Sequence, residues 1–271
     1  MLSNQRNRKE FRINLRVCTL ASGSKGNCIY VEGGGARLLV DAGLTLCETR
    51  LRLSHIGVRS EELTAIIITH EHTDHVKGIG PVGRALKIPI YMTAKTRAAA
   101  HGWIGKGVTL REFEAGTPFE VAGLYIEPFS IPHDAADPVG FAFYSGPCKA
   151  GLATDLGYAP KLVTERLKGA DLLVLESNHD PVMLKTGPYP WPLKQRVAGN
   201  EGHLSNEDAG KLLESLLHGG LRHVTLAHLS QINNLPELAF KSARSILSEN
   251  SCMEVALGVA GQDCVGKFIE V

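Results

Sequence analysis

Short runs of apolar residues broken by glycine open the chain. Positions 17–20, 28–31 and 38–41 read as strands, and Gly23, Gly26 and Gly33 to Gly35 are the turn formers between them. Together they predict a meander. Helical spacing of apolar residues over 46–55 comes next, followed by an apolar run at 65–69 that predicts a strand. An apolar helix is expected over 76–86, a short strand over 90–92 and a helix near 94–101. After Arg111 strand patterns return at 124–128, 141–144, 150–154 and 172–176, with a helix between Pro160 and Leu167. The last third mixes helices at 206–217 and 236–248 with strands at 223–226 and 253–257. Two strand-rich halves that each carry helices predict an α+β fold of two sheets packed face to face with helices outside. No period of about 20 to 50 residues repeats, so a solenoid is excluded. The stretch 180–202 is predicted to be one long loop, because Pro181, Gly187, Pro188, Pro190, Pro192, Gly199 and Gly202 interrupt every period. Loops of that length inside a compact domain are usually functional.

Composition narrows the class. With 271 residues, 44% hydrophobic and 21% charged, the chain can bury a full core, and we expect a single domain over 13–271 after a flexible basic start at 1–12 that holds Arg6, Arg8, Lys9 and Arg12. A formal net charge of +1 excludes a global basic field, so a nucleic-acid partner would be held by a local patch. No run of about 18 apolar residues spans a bilayer, and no apolar signal core follows the basic start, so no membrane partner is expected. Cys18, Cys28, Cys47, Cys148, Cys252 and Cys264 form no C-x-x-C pair and mostly lie in apolar segments, which favours reduced thiols and a cytoplasmic protein.

The densest chemistry stands where the apolar run Ile66-Ile67-Ile68 stops. There His70, His72, Asp74 and His75 follow in an H-x-H-x-D-H spacing. A strand ending in a loop can aim closely spaced side chains at one point, and imidazole and carboxylate are ligands for zinc, manganese and iron. Four such groups exceed the needs of one ion. His70 and His72 flank Glu71 and can share a metal, whereas Asp74 and His75, one turn on, face a second. Further candidates also follow strand patterns: His133 after 124–128, Asp155 after 150–154 and His228 after 223–226. Strands that each finish in His or Asp can gather them at one rim, and the total suits a binuclear centre with a bridging carboxylate.

These residues and several longer strings resemble the metallo-β-lactamase-fold hydrolase superfamily, and more closely its YycJ-like (WalJ-like) branch. The strings are Ser22-Gly23-Ser24-Lys25-Gly26-Asn27-Cys28, Glu176-Ser177-Asn178-His179-Asp180, Gly187-Pro188-Tyr189-Pro190-Trp191, Gly202-His203-Leu204-Ser205-Asn206 and Ala227-His228-Leu229-Ser230. The likeness covers nearly the whole chain. It implies a four-layer αββα sandwich, with two divalent metal ions (Zn, Mn or Fe) per chain. It assigns His70, His72 and His133 to one metal, Asp74, His75 and His228 to the other, and Asp155 between them.

Two metals can generate a bridging hydroxide at neutral pH and cancel charge on the attacking and leaving oxygens of a phosphodiester. No G-x-S-x-G elbow or P-loop offers another chemistry. Ser22 to Asn27 lies between strands and reads as a hairpin turn, with Ser24 or Asn27 also able to face the metals. In the resemblance His203 donates a proton to the leaving oxygen and Glu176 orients it; a plainer role for His203 is to cap the helix begun by Asn206. His179 is a weaker candidate near Glu176. Lys185, Lys194 and Arg196 beside Tyr189 and Trp191 suit phosphates and a stacked base, although Trp191 can equally pack the loop down. The expected activity is a metal-dependent phosphodiesterase on nucleic acid, DNA before RNA, in particular a DNA exonuclease. The alternatives are a small-molecule phosphodiesterase or thioester hydrolase of the same fold, or a non-hydrolytic redox or signalling module. A homodimer is the background expectation.

Overall fold

The structure, a computed structural model, describes residues 14–271; the basic start expected at 1–12 lies outside them. The strands are β1 (Arg16–Ala21), β2 (Cys28–Gly33), β3 (Ala36–Val40), β4 (Ala65–Ile67), β5 (Ile90–Met92), β6 (Leu110–Glu112), β7 (Phe119–Val121), β8 (Leu124–Ser130), β9 (Val139–Ser145), β10 (Cys148–Ala153), β11 (Leu172–Glu176), β12 (His223–Ala227), β13 (Ala256–Val259) and β14 (Ile269–Glu270). The helices are α1 (Leu46–His55), α2 (Thr73–Val76), α3 (Ile79–Leu86), α4 (Ala94–Ala99), α5 (His101–Ile104), α6 (Lys161–Leu167), α7 (Pro181–Thr186), α8 (Trp191–Val197), α9 (Asn206–Leu216) and α10 (Pro236–Glu249).

Two seven-stranded sheets form, in the orders β14-β1-β2-β3-β4-β5-β6 and β13-β12-β11-β10-β9-β8-β7. Side-chain parity explains the layers. Val17, Leu38, Val40 and Ile67 point into the space between the sheets, where they meet Leu124, Ile126, Phe141, Leu152 and Val174. Their neighbours Cys18, Leu39, Ile66 and Ile68 face the other way and pack with Leu53, Val76, Ile79 and Val82 of the helices. The second sheet repeats this: Leu173, Leu175, Val224 and Leu226 pack outward on Val163, Leu213, Ala243 and Leu247. Because successive side chains in a strand alternate faces, strands that are apolar throughout must be covered on both sides. The result is an αββα sandwich.

In the first sheet β3, β4, β5 and β6 run parallel, and in the second β10, β11, β12 and β13 do. Loops at the carboxyl ends of parallel strands are where such sheets place ligands.

Several elements differ from the sequence expectation. The helix expected over 76–86 is two, α2 and α3, separated at Gly78, where a Cβ would lie 1.9 Å from the Leu44 carbonyl oxygen. The helix near 94–101 likewise breaks at Ala100 into α4 and α5. The stretch 180–202 is not a featureless loop: it holds α7 and α8, with proline at the first turn of each, where the missing N–H costs nothing. Asp180 caps α7 by accepting from the Met183 amide at 2.8 Å. Strands β6, β7 and β14 are two or three residues long, too short to show a period. No helix among the described residues is long and apolar enough to cross a membrane.

Candidate metal centre

Every ligand candidate stands just beyond a strand end at one rim. His70 and His72 follow β4, with Asp74 and His75 on α2; His133 follows β8, Asp155 follows β10 and His228 follows β12. Three non-glycine residues there adopt left-handed backbone, Asp41 with φ 62°, Asp155 with φ 61° and His228 with φ 55°. Such conformations are uncommon outside glycine, and their gathering at one rim marks turns bent to aim side chains.

Two groups of ligand atoms result. Atoms of His70, His72 and His133 lie within 4.8 Å of one another, as do those of Asp74, His75 and His228. Asp155 lies between them, with Oδ2 3.5 Å from His75 Nε2 and Oδ1 3.2 Å from His228 Nδ1 and 3.9 Å from His133 Nε2.

Partners behind the imidazoles fix their tautomers. His75 Nδ1–H donates to Asp41 at 2.7 Å. Thr69 Oγ1 donates to the same carboxylate at 2.9 Å and therefore accepts from His70 Nδ1 at 3.0 Å. His133 Nδ1–H donates to the carbonyls of Glu201 and Gly202 at 3.1 and 3.2 Å, and His228 Nδ1–H to Glu176 at 3.0 Å. In each of these rings Nδ1 is engaged and Nε2 is the nitrogen turned toward the other ligand candidates; His75 Nε2 also lies 3.0 Å from Asn27 Nδ2. His72 is reversed, with Nδ1 3.2 Å from His133 Nε2.

The fit to cations can be tested on the atoms left over. His70 Nε2, His228 Nε2 and Asp155 Oδ2 are buried and make no hydrogen bond. Buried polar atoms are nearly always paired, and three orphans converging from different strands are what a metal centre requires. The donor set of nitrogen and carboxylate oxygen fits zinc, manganese or iron.

The electrostatics of the centre agree with this. Burial holds His70 well below the usual imidazole range, reinforced by His75, His133 and His72. Burial also opposes charge on His75 and His228, yet Asp155 above all overrides it, with Asp41 on His75 and Asp74 and Glu176 on His228. His75 is pushed well up and His228 to about 10. The surrounding carboxylates thus favour positive charge at both positions. Asp74, despite burial, is held far below the carboxylate range by His228 and His75.

Glu176 is fully buried at the end of β11 and saturated. Oε1 accepts from His203 Nδ1 at 2.8 Å and from His228 Nδ1 at 3.0 Å, and Oε2 from the amides of Leu156 at 2.9 Å and Leu204 at 3.1 Å. With both oxygens taken, it supports two histidines and has no lone pair well placed for a metal. His203 reaches Glu176 from the loop before α9, whose cap is Ser205, accepting from the Asp208 amide at 3.0 Å.

A cavity of about 360 Å³ opens on these groups, lined by Ser24, His72, Asp74, His133, Asp155 and His228 on one side and Tyr189, Leu193, Arg196 and His203 on the other. Of the remaining sequence candidates, Asn27 lies beneath the ligands, where Nδ2 donates to Asp74 Oδ2 at 3.0 Å and Oδ1 accepts from the Gly23 amide at 2.8 Å. Trp191 is 66% exposed at the start of α8 and does not line the cavity, nor does Lys185 on α7, whose carbonyl accepts from Lys194 Nζ at 2.7 Å. His179 is buried and pairs through its backbone with Ser205. Sequence reasoning passed over two carboxylates at the centre: Asp41, which accepts from His75, and Asp134, whose Oδ1 lies 3.6 Å from His133 Nε2 and whose Oδ2 accepts from Arg196. The signal was present for Asp41, which ends the apolar β3 just as Asp155 follows β10.

Comparison with known proteins agrees with this geometry. A family model described as a beta-lactamase superfamily domain matches residues 36–228. Exodeoxyribonuclease YycJ of Bacillus anthracis is 38% identical over 239 residues, covering 88% of this chain and 90% of that protein. Exodeoxyribonuclease WalJ of Streptococcus pneumoniae strain D39 is 37% identical over 231 residues, 84% of this chain and 86% of that one. The solved metallo-beta-lactamase fold protein YhfI from Bacillus subtilis superposes with a TM-score of 0.73 at 18% identity, over 95% of this chain and 100% of its own.

Proposed function

The chain belongs to the beta-lactamase superfamily, in its YycJ-like branch, and from that premise we propose that it is a DNA exonuclease working with two divalent cations. It is a metal-dependent hydrolase. His70, His72 and His133 would hold one cation, Asp74, His75 and His228 the other, and Asp155 both. Bound there, the cations supply Lewis-acid charge and lower the pKa of water toward neutrality.

The protein's own residues carry the rest. Asp41, Thr69 and Glu176 hold the imidazoles by Nδ1, so that Nε2 is oriented before any ligand arrives. Glu176 holds His203 by Nδ1, which leaves Nε2 as the nitrogen that can pass a proton to the departing oxygen of the sugar. That pair is the observation that carries the reading: an alkoxide is a poor leaving group, and a buried carboxylate aligning an imidazole in the cavity wall meets its need. Arg196 and Ser24 would bind the backbone. The small cavity suits the end of a strand better than the middle of a duplex. A cytoplasmic location and action as a dimer belong to the same reading, the former consistent with six cysteines that form no disulfide.

The test is digestion of end-labelled single- and double-stranded DNA and RNA by manganese-loaded and metal-stripped protein, with bis-p-nitrophenyl phosphate as a small substrate. We expect metal-dependent release of nucleotides from DNA, and turnover at background in Asp155→Asn with the fold retained. Hydrolysis of the small diester alone would replace this reading with a small-molecule phosphodiesterase, and a fully active Asp155→Asn would refute the metal assignment.

A further inference from the structure

Arg196 is the one lysine or arginine in the wall of the metal cavity among the described residues, and its donors are used unequally. Nε donates to Asp134 Oδ2 at 2.5 Å. The two terminal nitrogens donate to no protein acceptor among the described residues. The carboxylate that holds Arg196 is itself fixed in place. The Asp134 amide donates to the Glu201 carbonyl at 3.1 Å, and Oδ1 lies 3.6 Å from His133 Nε2 and 3.8 Å from His72 Nε2. Asp134 therefore stands between the first ligand group and α8.

The segment after α8 is bolted to the same place. His133 donates to the carbonyls of Glu201 and Gly202, and Gly157 packs so tightly on it that a Cβ would lie 2.3 Å from the Asn200 carbonyl. Arg196 is thus mounted on a rigid base. A guanidinium held through Nε presents its terminal nitrogens as a planar fork, which matches two oxygens of one phosphate. The scissile phosphate belongs at the ligand groups. Asp134 separates Arg196 from them, so the fork meets another phosphate.

Resting on the nuclease reading, we infer that Arg196 forms a subsite for a phosphate next to the scissile one, and that Asp134 is the positioning residue that orients it. The consequence is selectivity for substrates carrying a second phosphate. The alternative source of recognition, stacking on Tyr189, would not discriminate between substrates that differ only in phosphate.

The experiment compares thymidine dinucleotides with and without a terminal phosphate, at either end, as substrates of the manganese-loaded protein. For the wild type, kcat/KM for one phosphorylated dinucleotide should exceed that for the unphosphorylated one by about 10- to 100-fold, chiefly through KM, as one charge-assisted bidentate contact provides. Arg196→Ala should bring the ratio close to 1, and Arg196→Lys should restore only part of it, since an ammonium cannot hold Asp134 and present a fork together. Asp134→Ala, with bound metal quantified, should lower the ratio in the same direction. A wild-type ratio near 1, or a ratio that survives Arg196→Ala, overturns the subsite, as does an equal loss on both substrates, the mark of a merely structural role. An undiminished ratio in Asp134→Ala overturns the positioning role. If neither dinucleotide nor DNA is cleaved while bis-p-nitrophenyl phosphate is, the nuclease reading falls and the subsite falls with it; if DNA is degraded without phosphate preference, only the subsite does.

Discussion

Single side chains in this centre divide into those that face the cavity and those that hold them. His203 is of the first kind. Replacing it with Ala should slow DNA cleavage by about 10²–10⁴, the usual worth of a positioned acid. Bis-p-nitrophenyl phosphate, whose phenolate departs without help, should lose far less. Equal losses on both substrates would remove the proton-donor role. Asp41 is of the second kind: it accepts from His75 and Thr69, is buried, and does not line the cavity. Asp41→Asn should weaken metal binding by about 10- to 100-fold, because the amide can present a donor to His75 Nδ1 and unsettle its tautomer. Chelator competition measures this, and an unchanged affinity would show that the buried carboxylate is there for folding alone.

At the scale of elements, the turn between β1 and β2 and the short α2 form one joint. The Asn27 amide donates to the Asp74 carbonyl at 2.7 Å, and the Gly43 amide to the Asn27 carbonyl at 2.9 Å. A Cβ on Gly43 would lie 1.7 Å from the Asp74 carbonyl oxygen and 2.6 Å from the Asn27 nitrogen. Gly43→Ala must therefore push α2 away from the turn. It should cost about 1–3 kcal/mol, as overpacking does, and loosen Asp74 and His75 along with it. Thermal unfolding of the metal-stripped variant tests the cost, and wild-type stability would mean that the joint yields without strain. Much of this layout was legible in the sequence. Apolar runs between turn formers marked β1 to β5 and β8 to β12, and His or Asp after several of them marked the rim. What stayed hidden has physical causes. Prolines at the start of α7 and α8 look like loop residues when no partner is visible. The partners that single out Asp41 and Asp134, Thr69 and His75 for the one and His72 and Arg196 for the other, are far away in sequence, and β7 is recognisable only from its pairing with β8.

Taken whole, the molecule draws its candidate ligands from both sheets: His70, His72, Asp74 and His75 follow the first, His133, Asp155 and His228 the second. Cations bound to both would tie the two halves together. Binding only to the folded state adds stability by mass action, about 2.7 kcal/mol at one hundred times Kd, or roughly 5–10 °C in Tm for a chain of this size. The metal-free protein must instead balance the buried carboxylates of Asp41, Asp155 and Glu176 with protons on His75 and His228. Both histidines have folded pKa values above the ordinary one near 6.5, so their contribution is fully present below about pH 6.5 and is lost as pH rises through the folded value, about 10 for His228. The metal-stripped protein should accordingly lose Tm steadily between pH 7 and 10, while the zinc-loaded protein holds its Tm over the same range because the cation has replaced those protons. Calorimetric titration with zinc in buffers of different ionisation enthalpy should also show protons released on binding, more at pH 7 than at pH 10. Parallel melting curves for the two forms would mean that the centre is not balanced by protons, and binding without proton release would place the zinc away from His75 and His228.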